Sequence, residues 1–397
     1  MKINEQIVFQ WLLFAYTLSL ILFSEQPAFS FLSLAIGALL VVAYAVEMLY
    51  HQEKSIFLNR FLLVYMVFYI WCLASILWAT DEALSMKMVV RMTFLTVTLI
   101  VIYNVLKRYD IKNAFYYALI TGTFINFVLF FNLFSVPFDT WLWLRYQGTL
   151  NNPNVLSIVS ILSIVASAIL LNINRNGPLL KTVLISNIAV SIFLIFQTAS
   201  KKGLLFGSVF MIFLMFYSKI KMKTLGISLL LASVLGVIIV KFTDTEKLLF
   251  KVDYIVKRMM QLFDAMSGRK YDLSSNERMQ FIVEGFDKFA DTPIFGHGID
   301  NFRVYFGLYA HNNFIELLFD VGLVGLIMYY SVHVSLLMQS RSVTHAFLRN
   351  ISIILIVIIM TMDVAVVSYF TKYLFTFLVV YSFTLENYSK VVTYEKI

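Results

Sequence analysis

A few side chains in this 397-residue sequence are of a type and in a place to do chemistry. Arg278 falls in the first turn of a helix that begins after Ser274. A cation there opposes the helix dipole, so local helix stability does not explain it. An arginine at a helix N-terminus is instead a good anion site. Arg269 lies just upstream, Arg145 stands among Trp141, Trp143 and Tyr146, and Lys201 and Lys202 adjoin each other. His297 and His311 are of a type that can take a proton from a hydroxyl. His297 sits in Gly296-His297-Gly298, whose glycines allow a tight turn with positive φ. A lone Gly-x-Gly without a preceding strand is not read as a nucleotide site. Asn313 as N-cap with Glu316 three residues on forms a capping arrangement, which leaves His311 and Asn312 unexplained. Asp320 lies about two turns further on, where a carboxylate must be paired or wetted.

The elements that must position these residues are membrane helices. Apolar residues make up 60% of the chain and charged residues 14%. Twelve spans of roughly 20 residues consume about that apolar inventory and leave little for a soluble core. A cytoplasmic enzyme, a disordered chain and a disulfide-rich module are excluded, and Cys72 is the single cysteine. Spans are expected at 7–23, 28–50, 61–79, 88–106, 114–136, 154–171, 179–199, 203–218, 224–242, 314–338, 350–367 and 369–387. With both termini inside, the short inner loops hold three times as many lysines and arginines as the short outer loops. The short outer loops hold only Lys87, Arg91, Arg145, Lys201 and Lys202, as the positive-inside rule requires. The net charge of +8 is therefore mainly topology, and no nucleic-acid partner is expected. The expectation is one polytopic all-α membrane domain over 1–397, with a large outer loop at 243–310. In that loop Leu248, Val252, Ile255, Val256, Met259 and Phe263 recur at helical spacing, with Lys251, Asp253, Lys257 and Arg258 off the stripe. This reads as a helix lying on the membrane surface or on the bundle. Of five histidines, only His297 and His311 serve the outer face. That face carries no Asp-x-Asp and no His/Cys cluster, so no metal site is expected.

Three segments together resemble the O-antigen ligase and O-antigen polymerase family of bacterial membrane glycosyltransferases. Residues 291–325 carry a Pro-x-Phe-Gly-x-Gly turn (Pro293, Phe295, Gly296, Gly298), then His311-Asn312, then an apolar helix with Glu316 and Gly322. Residues 145–154 look like the family's Arg-x-x-Gly…Asn-Pro-Asn segment. Thr198-Ala199-Ser200-Lys201-Lys202-Gly203 stands where the family usually has Thr-x-Ser-Arg-Gly.

The resemblance implies metal-independent, cofactor-free transfer of a glycan from an undecaprenyl-pyrophosphate carrier to an acceptor hydroxyl, outside the cytoplasmic membrane. It places His311 at the acceptor and Arg278, or alternatively Arg269, at the loop arginine. The family's first arginine falls on Lys201, a departure that trades a bidentate fork for a point charge, with Lys202 as the other candidate. Arg145, Asn312 and Glu316 complete the expected binding residues. The leading expectation is a polymerase of lipid-linked repeat units into capsule, exopolysaccharide or O-antigen, with membrane lipid and a chain-length regulator as further partners. The alternatives are a ligase passing finished glycan to lipid A-core and, from another class, a flippase or transporter of lipid-linked sugar. The transporter would predict ionisable residues at mid-membrane and related halves. Glu47, Lys241 and Lys372 lie near span ends instead.

Overall fold

The computed structural model describes residues 2–52, 55–132, 144–217, 226, 230, 234, 245–266, 273–364 and 366–389. Helices dominate, and the described residues contain no strand, only an isolated bridge between Val343 and Ser389. In chain order they are α1 (Lys2–Phe23), α2 (Ser30–Tyr50), α3 (Arg60–Ala74), α4 (Glu82–Tyr109), α5 (Lys112–Asn132), α6 (Pro153–Ile173) and α7 (Pro178–Thr198). There follow α8 (Lys201–Tyr217), α9 (Thr245–Met266), α10 (Leu273–Phe289), α11 (Phe302–Phe306), α12 (Asn313–Arg341), α13 (Ala346–Asp363) and α14 (Lys372–Asn387).

Among the described residues, 9 helical segments are long and apolar enough to cross a bilayer: α1 to α7, α12 and α13. The protein is a multi-pass membrane protein. Each of these segments overlaps an expected span. Two further expected spans, 203–218 and 369–387, coincide with α8 and α14, which are shorter helices of 17 and 16 residues. The expected span at 224–242 lies almost wholly outside the described residues.

The chain forms two compact units, one of residues 1–40 and 111–270 and one of residues 41–110 and 271–397. In the first, α6 is buried along most of its length. Its serines Ser163 and Ser167 accept from the Asn187 amide of α7 at 2.9 Å each. Such interhelical amide–hydroxyl bonds hold helices together where apolar packing alone gives no drive in lipid. In the second unit, Glu47 near the end of α2 is buried. It pairs with Arg108 of α4 at 3.0 Å and also accepts from the Tyr109 hydroxyl.

Candidate active site

The second unit is built around an interruption in α12. Gly322 has φ +69° and ψ −174°, so the helix kinks there. A straight helix would pair the carbonyls of Phe319 and Asp320 with the amides four residues on. Instead His297 N donates to Phe319 O at 2.9 Å and Gly298 N to Asp320 O at 2.8 Å. The freed Leu323 N donates to Pro293 O at 2.9 Å. The Pro-x-Phe-Gly-x-Gly turn thus plugs the kink. It takes the positive φ expected of its glycines, +71° at Gly296 and +97° at Gly298. No side chain fits at Gly322, where a Cβ would stand 2.2 Å from Ile294 O.

From the other side the turn is held by the segment between α3 and α4. Thr80 N donates to His297 O at 2.9 Å, and Ser85 Oγ donates to Ile299 O at 2.7 Å. The Trp78 indole donates to Phe295 O at 3.1 Å. Asp320 is buried, and its two carboxylate oxygens accept from Asp300 N and Phe302 N, each at 2.8 Å. That answers why a carboxylate stands two turns into a span. It anchors the start of the short helix α11.

These anchors lead to His311. Asp300 pairs with Arg303 at 3.0 Å. Burial raises the Asp300 carboxyl, while the cations Arg303, Arg91 and Lys87 oppose the rise. The Arg303 guanidinium lies 5.7 Å from the Tyr309 ring centre, within cation–π range. The Tyr309 ring in turn lies 4.1 Å from that of His311. His311 itself has φ +55°, an uncommon conformation for a residue with a side chain and one typical of constrained sites. It is fixed on both flanks. Glu316 accepts from Ala310 N at 2.7 Å, and Asn312 caps α12 by accepting from Phe314 N and Ile315 N at 2.9 and 3.2 Å.

The cap is therefore Asn312 and not Asn313, a correction of one residue. Asn313 is turned inward. Its amide donates to Asp363 at 3.2 Å, and its oxygen accepts from Ser368 N at 2.9 Å. Asn312 and Glu316 are buried, with polar atoms directed to backbone amides around His311. The two histidines expected on the outer face part company here. His297 is buried, stacked on Phe319 at 4.4 Å, with ring nitrogens 3.1 Å from Lys288 O and 3.5 Å from the Tyr305 hydroxyl. That is a packed structural histidine.

Arg278 lies in the second turn of α10. Phe281 and Ile282, three and four residues on and so on the same face, pack on the cluster of Phe302, Ala310, Ile315 and Phe319. Gly285 lets α10 approach closely, since a Cβ there would meet Ile315 at 2.8 Å. The face that carries Arg278 thus docks beside the residues flanking His311. Among the described residues the half-buried Arg278 makes no hydrogen bond, ion pair or ring contact. Arg269 lies outside the described residues.

Lys201, Lys202 and Arg145 belong to the first unit. Lys201 and Lys202 open α8, and Ser200 caps it by accepting from Gly203 N at 3.2 Å. The Ser200 hydroxyl donates to Asn154 at 2.9 Å, and Asn152 caps α6 as its place before Pro153 suggests. Gly203 presses on Ser157, where a Cβ would come within 2.5 Å. Next to Arg145, Tyr146 N donates to Gln197 O at 3.1 Å and its hydroxyl to Asn126 O at 2.7 Å. The 145–154 segment and the 198–203 segment, separate in sequence, are thus brought together.

Residues 186–330 match the family model Wzy_C, described as O-antigen ligase. The chain is similar to that family over this stretch. The match takes in Lys201, Lys202, Arg278 and His311, together with the kinked first half of α12. It supports a membrane glycosyltransferase of the O-antigen ligase and polymerase type. A comparison with curated proteins finds no match.

Sequence reasoning missed several residues around the candidate site. Arg303 and Tyr309 passed unnoticed because only the fold sets Arg303 over the Tyr309 ring and that ring beside His311. In α9, Lys251 is 2% exposed and Ile255 6%, while Val252 and Val256 are 41% and 43% exposed. Most of the apolar stripe of α9 faces outward. That is the arrangement of a helix lying on a membrane surface, one of the two placements expected for this stripe.

Proposed function

We propose that this protein transfers a glycan from a polyprenyl-pyrophosphate carrier to an acceptor hydroxyl at the outer face of the bacterial cytoplasmic membrane. The acceptor oxygen attacks the anomeric carbon of the donor's reducing-end sugar. A new glycosidic bond forms as the bond from that carbon to the pyrophosphate oxygen breaks. The hydroxyl proton passes to His311, and the leaving electron pair goes with the pyrophosphate. Arg278 neutralises the charge that develops, and Lys201 and Lys202 are the cations proposed to hold the pyrophosphate. Asn312, Glu316, Tyr309 and Arg303 fix the geometry of His311.

The observation that carries the reading is the confinement of His311. Glu316 holds the amide before it, Asn312 caps the helix after it and the Tyr309 ring lies 4.1 Å away, beside the face of a helix whose arginine makes no polar contact among the described residues. The family match over the same residues supports this reading.

Polymerase and ligase share these steps and differ in the acceptor. We favour the polymerase, in which the acceptor is the non-reducing end of another lipid-linked repeat unit and a chain-length regulator is a partner. Purified protein given the lipid-linked repeat unit alone should produce a ladder of products. If product forms only when a second acceptor is added, the protein is a ligase.

A further inference from the structure

We infer that Lys251 and Arg258 of α9 are positioning residues: they hold the Thr198–Lys202 turn so that the two lysines opening α8 meet the donor pyrophosphate. The inference rests on the pyrophosphate role proposed above for Lys201 and Lys202.

Lys251 is the starting point. Its side chain is almost wholly buried, and removing an ammonium group from water is costly unless it gains partners. A helix seated only by packing would place an aliphatic residue here, and α9 has several to spare. Leu249, Phe250, Val252, Val256 and Met260 all face outward. Lys251 instead reaches the C-terminal end of α7. Its ammonium donates to the Gln197 side-chain oxygen and lies 3.5 Å from the Gln197 carbonyl. It also stands 5.8 Å from the Phe130 ring centre. A helix C-terminus carries partial negative charge and favours a cation, and an aromatic face adds to that.

Two turns along the same face, Arg258 Nε donates to Ala199 O at 3.0 Å. Ala199 is the buried hinge of the turn, with φ +45°. An alanine in that conformation is strained, so contacts from outside help to hold the turn. Arg258 is steadied in its place by Tyr254, whose hydroxyl is 3.2 Å away and whose ring centre lies 5.6 Å from the guanidinium. Ser200 is tied to Asn154 on the far side. Thus α9 turns its apolar face outward and grips with its polar face Gln197 and Ala199, just ahead of Lys201. Its hold sets where Lys201 and Lys202 stand. Arg258 and Lys251 act through those lysines.

The test uses the purified full chain in lipid nanodiscs, with undecaprenyl pyrophosphate as the binding probe and lipid-linked repeat unit as the donor. Arg258→Ala and Lys251→Met should each weaken probe binding roughly five- to tenfold and raise the donor KM by a like factor. At pH 7 the kcat should stay within about twofold and the melting temperature should barely move. Arg258→Lys should recover part of the affinity. Lys257→Ala, which breaks only the exposed pair with Asp253, should match the wild type. Wild-type binding in Arg258→Ala and Lys251→Met would overturn the inference, as would a loss of kcat and KM together with the melting temperature. Should Arg258→Ala fail to fold, Arg258→Lys decides: a KM rise with kcat kept supports the inference, and wild-type KM sinks it. If Lys201→Ala weakens probe binding while Arg258→Ala does not, the positioning role fails alone. If the wild type binds no probe, the proposed function fails with it.

Discussion

Gly322→Ala tests whether the α12 kink builds the site. At φ +69° and ψ −174° the backbone lies in a region that glycine alone occupies comfortably, and a side chain there costs about 1–3 kcal/mol. The new Cβ would also stand 2.2 Å from Ile294 O, which neither backbone can accept. The helix has an escape. By straightening, it regains the Phe319–Leu323 and Asp320–Val324 bonds of a regular helix. That escape leaves His297 N, Gly298 N and Pro293 O without partners, at about 1–3 kcal/mol for each group left buried. The expected outcome is a protein that still inserts but releases its 293–302 turn, with a local loss of about 3–6 kcal/mol. Gly307→Ala is the matched control. Gly307 has φ +73°, with nothing within 4 Å of an added Cβ, so it carries backbone strain alone, about 1–2 kcal/mol. Limited proteolysis between residues 290 and 312, thermal unfolding in detergent and transfer activity would be compared for both variants. Protection and activity equal to wild type in Gly322→Ala, or equal losses in the two variants, would refute the reasoning.

Other outcomes follow from the same geometry. His297→Ala should lower the melting temperature through the lost stacking on Phe319 and the lost Lys288 bond, by about 1–3 kcal/mol, while the folded fraction keeps its activity; loss of activity without loss of stability would reassign this histidine. Asp320→Asn leaves one acceptor oxygen for two amides, so one buried amide loses its partner at about 1–3 kcal/mol; unchanged hydrogen exchange at Asp300 and Phe302 would contradict this. Burial lowers the Lys251 ammonium from 10.5 to about 7. The unfolded chain therefore binds the extra proton between about pH 7 and 10.5, and this group's contribution to stability rises with pH across that window. Wild type should gain on Lys251→Met by about 2–3 kcal/mol from pH 7 to 9, read from melting curves; parallel curves would contradict the burial.

The helical bundle was legible because apolar run length and punctuation depend on composition alone. The turn at 293–298 was legible too, since its glycines announce positive φ. The kink was not. Gly322 reads as a small residue for helix contact, and only the docked turn shows why the helix breaks there. The cap moved by one residue for a related reason: Asn312 and Asn313 offer the same side chain, and the tertiary partner Asp363 claims the second. Asn312 and Glu316 were expected to touch substrate, and their side chains are directed to the backbone around His311. Which side of α9 packs inward stayed open in the sequence, because periodicity gives a stripe but not the medium that stripe meets. Arg303 of α11 reaches His311 only by way of the Tyr309 ring, contacts that no periodicity encodes.

The most direct test of the central reading is release of undecaprenyl pyrophosphate from a lipid-linked repeat unit by purified protein. Wild type, His311→Ala and Arg278→Ala would be compared at equal folded concentration. The expected result is steady release by the wild type and a loss of roughly a hundredfold or more in each variant. Release at the wild-type rate by folded His311→Ala would contradict it.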